Sequence, residues 1–193
     1  MNHVSCIMKN NDGVTLIELI VAASVVIIIV VALGFSFEGW MGSYKAESQM
    51  KEMYTDLMNA RARSMERNRS HFVSLTTTQY TIQEDISPWP DGDGSLTAAD
   101  NTRPTGYNDP IPLLQKNLNP KYPITWSDIG DTQIDFTTRG LSNDTKTICI
   151  NSDIDTDNNC IVISETRMNL GKLTTKIPAP YGGTCDSTNC VAK

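Results

Sequence analysis

Glu18 is the only charged residue in an otherwise apolar run that extends over residues 16–37. A carboxylate near the centre of a membrane helix costs roughly 2.5–3.5 kcal/mol. The cost is smaller at a helix N-terminus, where the backbone dipole favours negative charge. An acid kept in such a place needs a cationic partner, and no Lys or Arg follows it until Lys45. The partner is then either a free amine made by cutting the chain nearby or a group on another molecule.

Three other groups of residues could do chemistry. Cys149, Cys160, Cys185 and Cys190 are an even set, all in the C-terminal quarter, which points to two disulfides in an oxidising compartment. Cys6 stands apart from them, near the start of the sequence. Four cysteines allow three pairings; the sequence-local one, Cys149 with Cys160 and Cys185 with Cys190, is favoured. A four-cysteine zinc site lacks any C-x2-C knuckle here. Asp153, Asp155 and Asp157, followed by Asn158 and Asn159, could offer oxygen ligands to Ca2+, with the favoured disulfide preorganising the loop. A weaker calcium candidate runs from Asp91 through Asp93 to Asp100, with Trp89 in the first ligand position of an EF-hand register. Both are also ordinary turn sequences. Arg61, Arg63, Arg67 and Arg69 could contact DNA. Glu66 interrupts them and no aromatic interleaves, so a solvated helix face is the preferred reading.

Enzyme chemistry finds no constellation. His3 and His71 are the only histidines, and the chain has no nucleophile elbow, P-loop or Gly-rich dinucleotide turn. The net charge of −6 argues against nonspecific nucleic-acid binding by the bulk of the chain. Lys9 and Asp12 cancel, so residues 14–193 carry the same −6.

The elements that position these groups follow from periodicity. Residues 14–37 are long enough for a transmembrane helix. Gly34, Gly39 and Gly42 follow, each weakening a helix by about 1 kcal/mol relative to Ala. They mark either a soft segment or a simple membrane exit. Residues 38–69 continue as an amphipathic helix, with Met50, Met53, Tyr54, Leu57, Met58 and Ala60 in one stripe. Residues 70–193 form a β-rich head. Strands are expected at 71–75, 79–82, 132–137, 145–150, 160–165 and 173–177, with Gly140 and Asn143 at the turn between the third and fourth. Prolines make residues 85–125 an irregular insertion, with short elements at 111–118. Residues 1–13 are a short polar leader, and translation from Met8 would leave a shorter one.

Gly13-Val14-Thr15-Leu16-Ile17-Glu18-Leu19, followed by an apolar helix, resembles the class III signal of type IV prepilins and pseudopilins. The resemblance implies cleavage after Gly13 by a prepilin peptidase and methylation of the new N-terminus at Val14. It also implies assembly through the turn of Thr15 and Glu18, the glutamate meeting the N-terminal amine of a neighbouring subunit. The family usually has Phe where this chain has Val14. A second resemblance, to the GspH/FimT-type minor pseudopilins, rests on Leu57-Met58-Asn59-Ala60-Arg61-Ala62-Arg63-Ser64-Met65 ahead of a hairpin and on Ile134-Asp135-Phe136-Thr137-Thr138-Arg139-Gly140. Together these imply an α+β pilin-like fold, with a long N-terminal helix packed on an antiparallel β head. The implied function is that of a minor pilin or pseudopilin of a type IV pilus or type II secretion filament, priming assembly near the tip. The implied partners are other pilin subunits, the peptidase and an inner-membrane assembly platform. The implied place is the bacterial inner membrane, with the head periplasmic. A tip binding module, an adhesin or DNA receptor, is the alternative.

Overall fold

A computed structural model describes residues 13–177 and 184–192, without the side chains of residues 32–38. The leader readings on His3, Cys6, Met8 and Lys9, and the segment with Pro178, Pro180, Gly182 and Gly183, lie outside the described residues. The architecture is α+β, an N-terminal helix and antiparallel sheets. Two compact units are present, one ending at Trp40 and the other beginning at Met41.

Helix α1 spans Leu16–Arg67. In the first unit its apolar residues from Leu16 to Val31 are exposed, as is Val14 just ahead. Among the described residues no helix is long and apolar enough to cross a membrane. The run of residues 16–37 expected to do so is described with side chains only to Val31. In the second unit Ala46, Met50, Met53, Leu57, Ala60 and Ser64 are buried at steps of three and four, as one helical face requires. The expected stripe is present, except that Met58 points to solvent and Tyr54 is only half-buried. The helix runs unbroken through Gly39 and Gly42, so neither marks an interruption. Gly42 serves close packing: a Cβ there would lie 3.0 Å from Ile154 and 3.2 Å from the Tyr122 hydroxyl. The helix ends at Arg67 because Asn68 turns left-handed, with φ 53°.

Among the described residues nine strands form two antiparallel sheets. They are β1 (His71–Thr76), β2 (Gln79–Glu84), β3 (Leu114–Asn117), β4 (Ile124–Trp126), β5 (Gln133–Phe136), β6 (Lys146–Ile150), β7 (Cys160–Ile163), β8 (Met168–Leu173) and β9 (Cys190–Ala192). The first sheet has the order β3-β2-β1-β5 and the second β4-β6-β7-β8-β9. Both close on the buried stripe of α1. Val73, Leu75, Tyr80, Ile82, Ile134 and Phe136 come from one sheet, and Ile124, Ile148, Ile150, Ile161 and Ile163 from the other. The turn near Gly140 and Asn143 is therefore not a hairpin; it carries the chain from β5 in one sheet to β6 in the other. Buried Lys146 links them, its ammonium donating to the Asp131 carboxylate at 2.8 Å and to the Asp131 and Gln133 carbonyls. The expected last strand falls earlier, at β8, and Ile177 makes only an isolated bridge to Ser152.

The disulfides correct the sequence-local pairing. They are Cys149–Cys185 and Cys160–Cys190, with Cα separations of 5.9 and 6.0 Å. Cys149 and Cys160 are register partners on β6 and β7, so they stand side by side on one face of the sheet. That face is the one away from the α1 core, and there both cysteines meet Leu173, Ile177 and the C-terminal segment. Loop-closure entropy changes slowly with length, so short spacing selects a pairing only weakly. The pairing of β9 with β8 decides it.

Gly171 permits this arrangement. It sits on β8 between Cys160 and Ala192, and a Cβ there would lie 2.6 Å from the Val191 carbonyl oxygen and 2.8 Å from Cys190 Sγ. Gly171→Ala should therefore cost about 1–3 kcal/mol by overpacking against backbone, read by denaturant unfolding. Gly171→Val should also raise the free-thiol titre of the oxidised protein. Unchanged stability and thiol count in both variants would show that β9 yields freely.

Candidate functional site

At the head of α1, Thr15 is the capping residue. Its carbonyl accepts from the Glu18 and Leu19 backbone N–H groups at 3.1 and 3.2 Å. Its Oγ1 also accepts from the Glu18 N–H, at 3.3 Å. The Thr15 hydroxyl thus satisfies one orphan N–H at the helix start, the threonine half of a Ser/Thr-x-x-Glu capping box. It puts Glu18 in the first turn, where the dipole favours its charge. Gly13, Val14 and Thr15 precede the helix, and Gly13 through Glu18 are all exposed. The three-residue spacing from Thr15 to Glu18 is the sequence signal for this cap.

Neither acidic run assembles a cation site. Among the described residues no three His, Cys, Asp or Glu groups gather to hold a metal ion. Asp155 and Asp157 reach Lys172 Nζ at 3.0 and 3.5 Å, so a cation is already supplied from β8. Asp153 is exposed beside them. Around residues 85–100 Asp85 and Asp100 turn inward, while Asp91 and Asp93 stay exposed. Asp100 Oδ1 accepts from the Ile86 and Ser87 N–H groups, and Oδ2 from the Thr97 N–H and hydroxyl. Burial pushes Asp100 up, and the hydrogen bonds from Thr97, Ile86 and Ser87 outweigh it, leaving the carboxyl below the usual range. Asp85 accepts from the Asp93 and Gly94 N–H groups, but burial dominates and raises it. These two acids organise the insertion by binding its own backbone.

The arginines are also engaged within the chain. Arg61 Nε donates to the Gly140 carbonyl at 2.6 Å. Arg67 and Arg69 each donate to a different oxygen of Glu84 at 2.9 Å, and the Glu84 side chain is fully buried. The Tyr107 hydroxyl donates to Glu84 at 2.8 Å, and Arg67 also pairs with Asp109. Arg69 stacks 4.5 Å from the centroid of Trp89. Only Arg63 of the four is left exposed without such a contact, so the row is largely engaged within the head rather than the solvated helix face preferred from the sequence. A strand glutamate holding two arginines has no periodic signal; it depends on β2 meeting the end of α1.

His71 lies in β1, as expected, and is buried. Its Nδ1 is 3.1 Å from the Arg69 carbonyl, while Nε2 has no partner among the described residues. Burial lowers its pKa, the Arg69 carbonyl and Glu84 act the other way, and Arg67 and Arg63 lower it further.

No family model matches the chain, and no curated protein matches it. Solved structures do. The minor pseudopilin EpsH of the Vibrio cholerae type 2 secretion system is 12% identical, with a TM-score of 0.47, over 66% of this chain and 97% of that one. The Pseudomonas aeruginosa type IV minor pilin FimU is 15% identical, with a TM-score of 0.49, over 76% of this chain and 99% of that one. The chain is similar to these minor pilins and pseudopilins. What it does is read from its own residues.

A histidine whose folded pKa is depressed contributes stability above its unfolded value near 6.5, and that stability is lost as pH falls below it. The difference in unfolding free energy between the wild type and His71→Gln should therefore shrink as pH drops from about 7.5 to 5. A difference constant with pH would show that His71 is not buried neutral.

Proposed function

We propose that this chain is a structural subunit, a minor pilin or pseudopilin of a type IV pilus or type II secretion pseudopilus. One observation carries the reading. Gly13 and Val14 lead into a capped helix whose first turn holds Glu18, and the apolar side chains that follow, to Val31, are exposed. Exposed apolar surface on that scale needs a cover, and a bilayer followed by neighbouring helices supplies it.

In this proposal residues 14–37 hold the subunit in the inner membrane, with the head on the periplasmic side. The leader is removed after Gly13 and the Val14 amine is methylated. Glu18 meets that amine on an adjacent subunit, which offsets the cost of burying both charges. Helices then pack in the filament core while the β head stays outside, and a minor subunit near the tip primes the assembly. The partners are other pilin subunits, the prepilin peptidase and the assembly platform. The two disulfides, Cys149–Cys185 and Cys160–Cys190, suit an oxidising compartment.

The mature N-terminus, determined by mass spectrometry, should begin at Val14 and carry one added methyl group. Gly13→Ala should leave an unshifted precursor on a gel. Glu18→Ala should still be inserted and cleaved, but its recovery in sheared filaments should fall about tenfold or more, the effect of 1.4 kcal/mol. Normal incorporation of Glu18→Ala would sink the pairing mechanism, and an uncleaved wild type would sink the whole proposal.

A further inference from the structure

The insertion holds a tryptophan at the surface. Trp89 stands between Pro88 and Pro90 and is 42% exposed. The Arg69 guanidinium covers part of one face at 4.5 Å, and the Tyr107 ring meets the indole edge-on, at 6.0 Å and 81°. Arg69 and Tyr107 are both fastened to the buried Glu84. One buried carboxylate thus fixes the two side chains that brace the indole, while Trp89 remains partly open to water.

Trp89 lines a shallow, open cleft of about 320 Å³ together with Arg67, Arg69, Tyr107, Asn108 and Asp109. Small-molecule sites start at about 300 Å³. The charges at this one balance, Arg67 and Arg69 against Glu84 and Asp109. A strongly charged ligand would have to break pairs already made, so the cleft favours a neutral one. The exposed Asn108 amide makes no hydrogen bond with the described residues. A carboxylate, an amide and a guanidinium are planar groups that can each hold two neighbouring hydroxyls at once. The negative face of an indole attracts the partially positive C–H bonds on one side of a sugar ring. We propose that this cleft binds a neutral saccharide, with one pyranose ring stacked on Trp89 and its hydroxyls held by Asn108 and Asp109. Because Arg69 and Tyr107 brace the indole beforehand, little side-chain freedom is lost on binding. The site stands whether or not the chain enters a filament.

The full chain, in a detergent without a sugar headgroup, is applied to immobilised neutral and sialylated glycans at low and high salt. The expected result is binding to at least one neutral glycan that is insensitive to salt. It should weaken about tenfold or more in Trp89→Ala and in Asn108→Ala, and be partly kept in Trp89→Phe. Asn108 is exposed, so an unchanged melting temperature for Asn108→Ala separates loss of binding from loss of fold. No neutral glycan bound, binding unaffected by Asn108→Ala and Trp89→Ala, or binding confined to sialylated glycans and abolished by salt would each overturn the proposal. None of these results bears on where the mature N-terminus begins.

Discussion

Ala46, Met50, Met53, Leu57 and Ala60 form the surface on which both sheets close. Without that stripe neither sheet has a core. The helix supplies one wall, and the inward residues of β1, β2, β5, β4, β6 and β7 supply the other. The fully buried strand β6 follows from this. Ile148 and Ile150 face the helix, while Cys149 lies on the opposite side against the disulfide cluster. A strand covered on both faces reads as a continuous buried run rather than an alternation.

Two carboxylates at the edges of this core gather polar partners from within. Asp56 on α1 accepts from the Tyr80 hydroxyl at 2.6 Å and pairs with Lys116 at 3.0 Å, tying the helix to β2 and β3. Burial and the Asp56 carboxylate together raise the Tyr80 pKa, so the phenol stays a donor. Glu84 does the same at the other end, gathering Arg67, Arg69 and Tyr107. Fully satisfied networks of this kind specify one arrangement where apolar packing alone would allow several. They also account for the insertion. Residues 85–101, full of turn formers, hold one path because Asp85 and Asp100 each accept hydrogen bonds from the loop backbone.

Pattern and composition were enough to locate the amphipathic half of α1 and strands β1, β2, β5, β6 and β7, because each carries its signal, an alternation, a repeat or a β-branched run, within a window of its own. They were not enough for β4 and β9, which are three residues long and paired to distant partners. They misplaced β8 for a related reason. Gly171 makes Met168–Leu173 a poor strand by composition, yet that position must be bare where β9 and a disulfide cross it. The charged residues were legible as types and not as partners. A row of arginines looks like a nucleic-acid face until a buried glutamate from another element takes two of them.

The amino-acid sequence by itself determined the local devices: an apolar helical run with one acid in its first turn, a glycine ahead of it, one buried stripe, and an even set of cysteines. Each depends on spacing along a few turns of chain. Tertiary structure alone decided which cysteines join, which carboxylates face the backbone, which arginines are already paired, and that Trp89 is braced at the rim of a cleft. Those outcomes depend on which elements meet, and the free energy of that meeting belongs to the shared core rather than to any one segment.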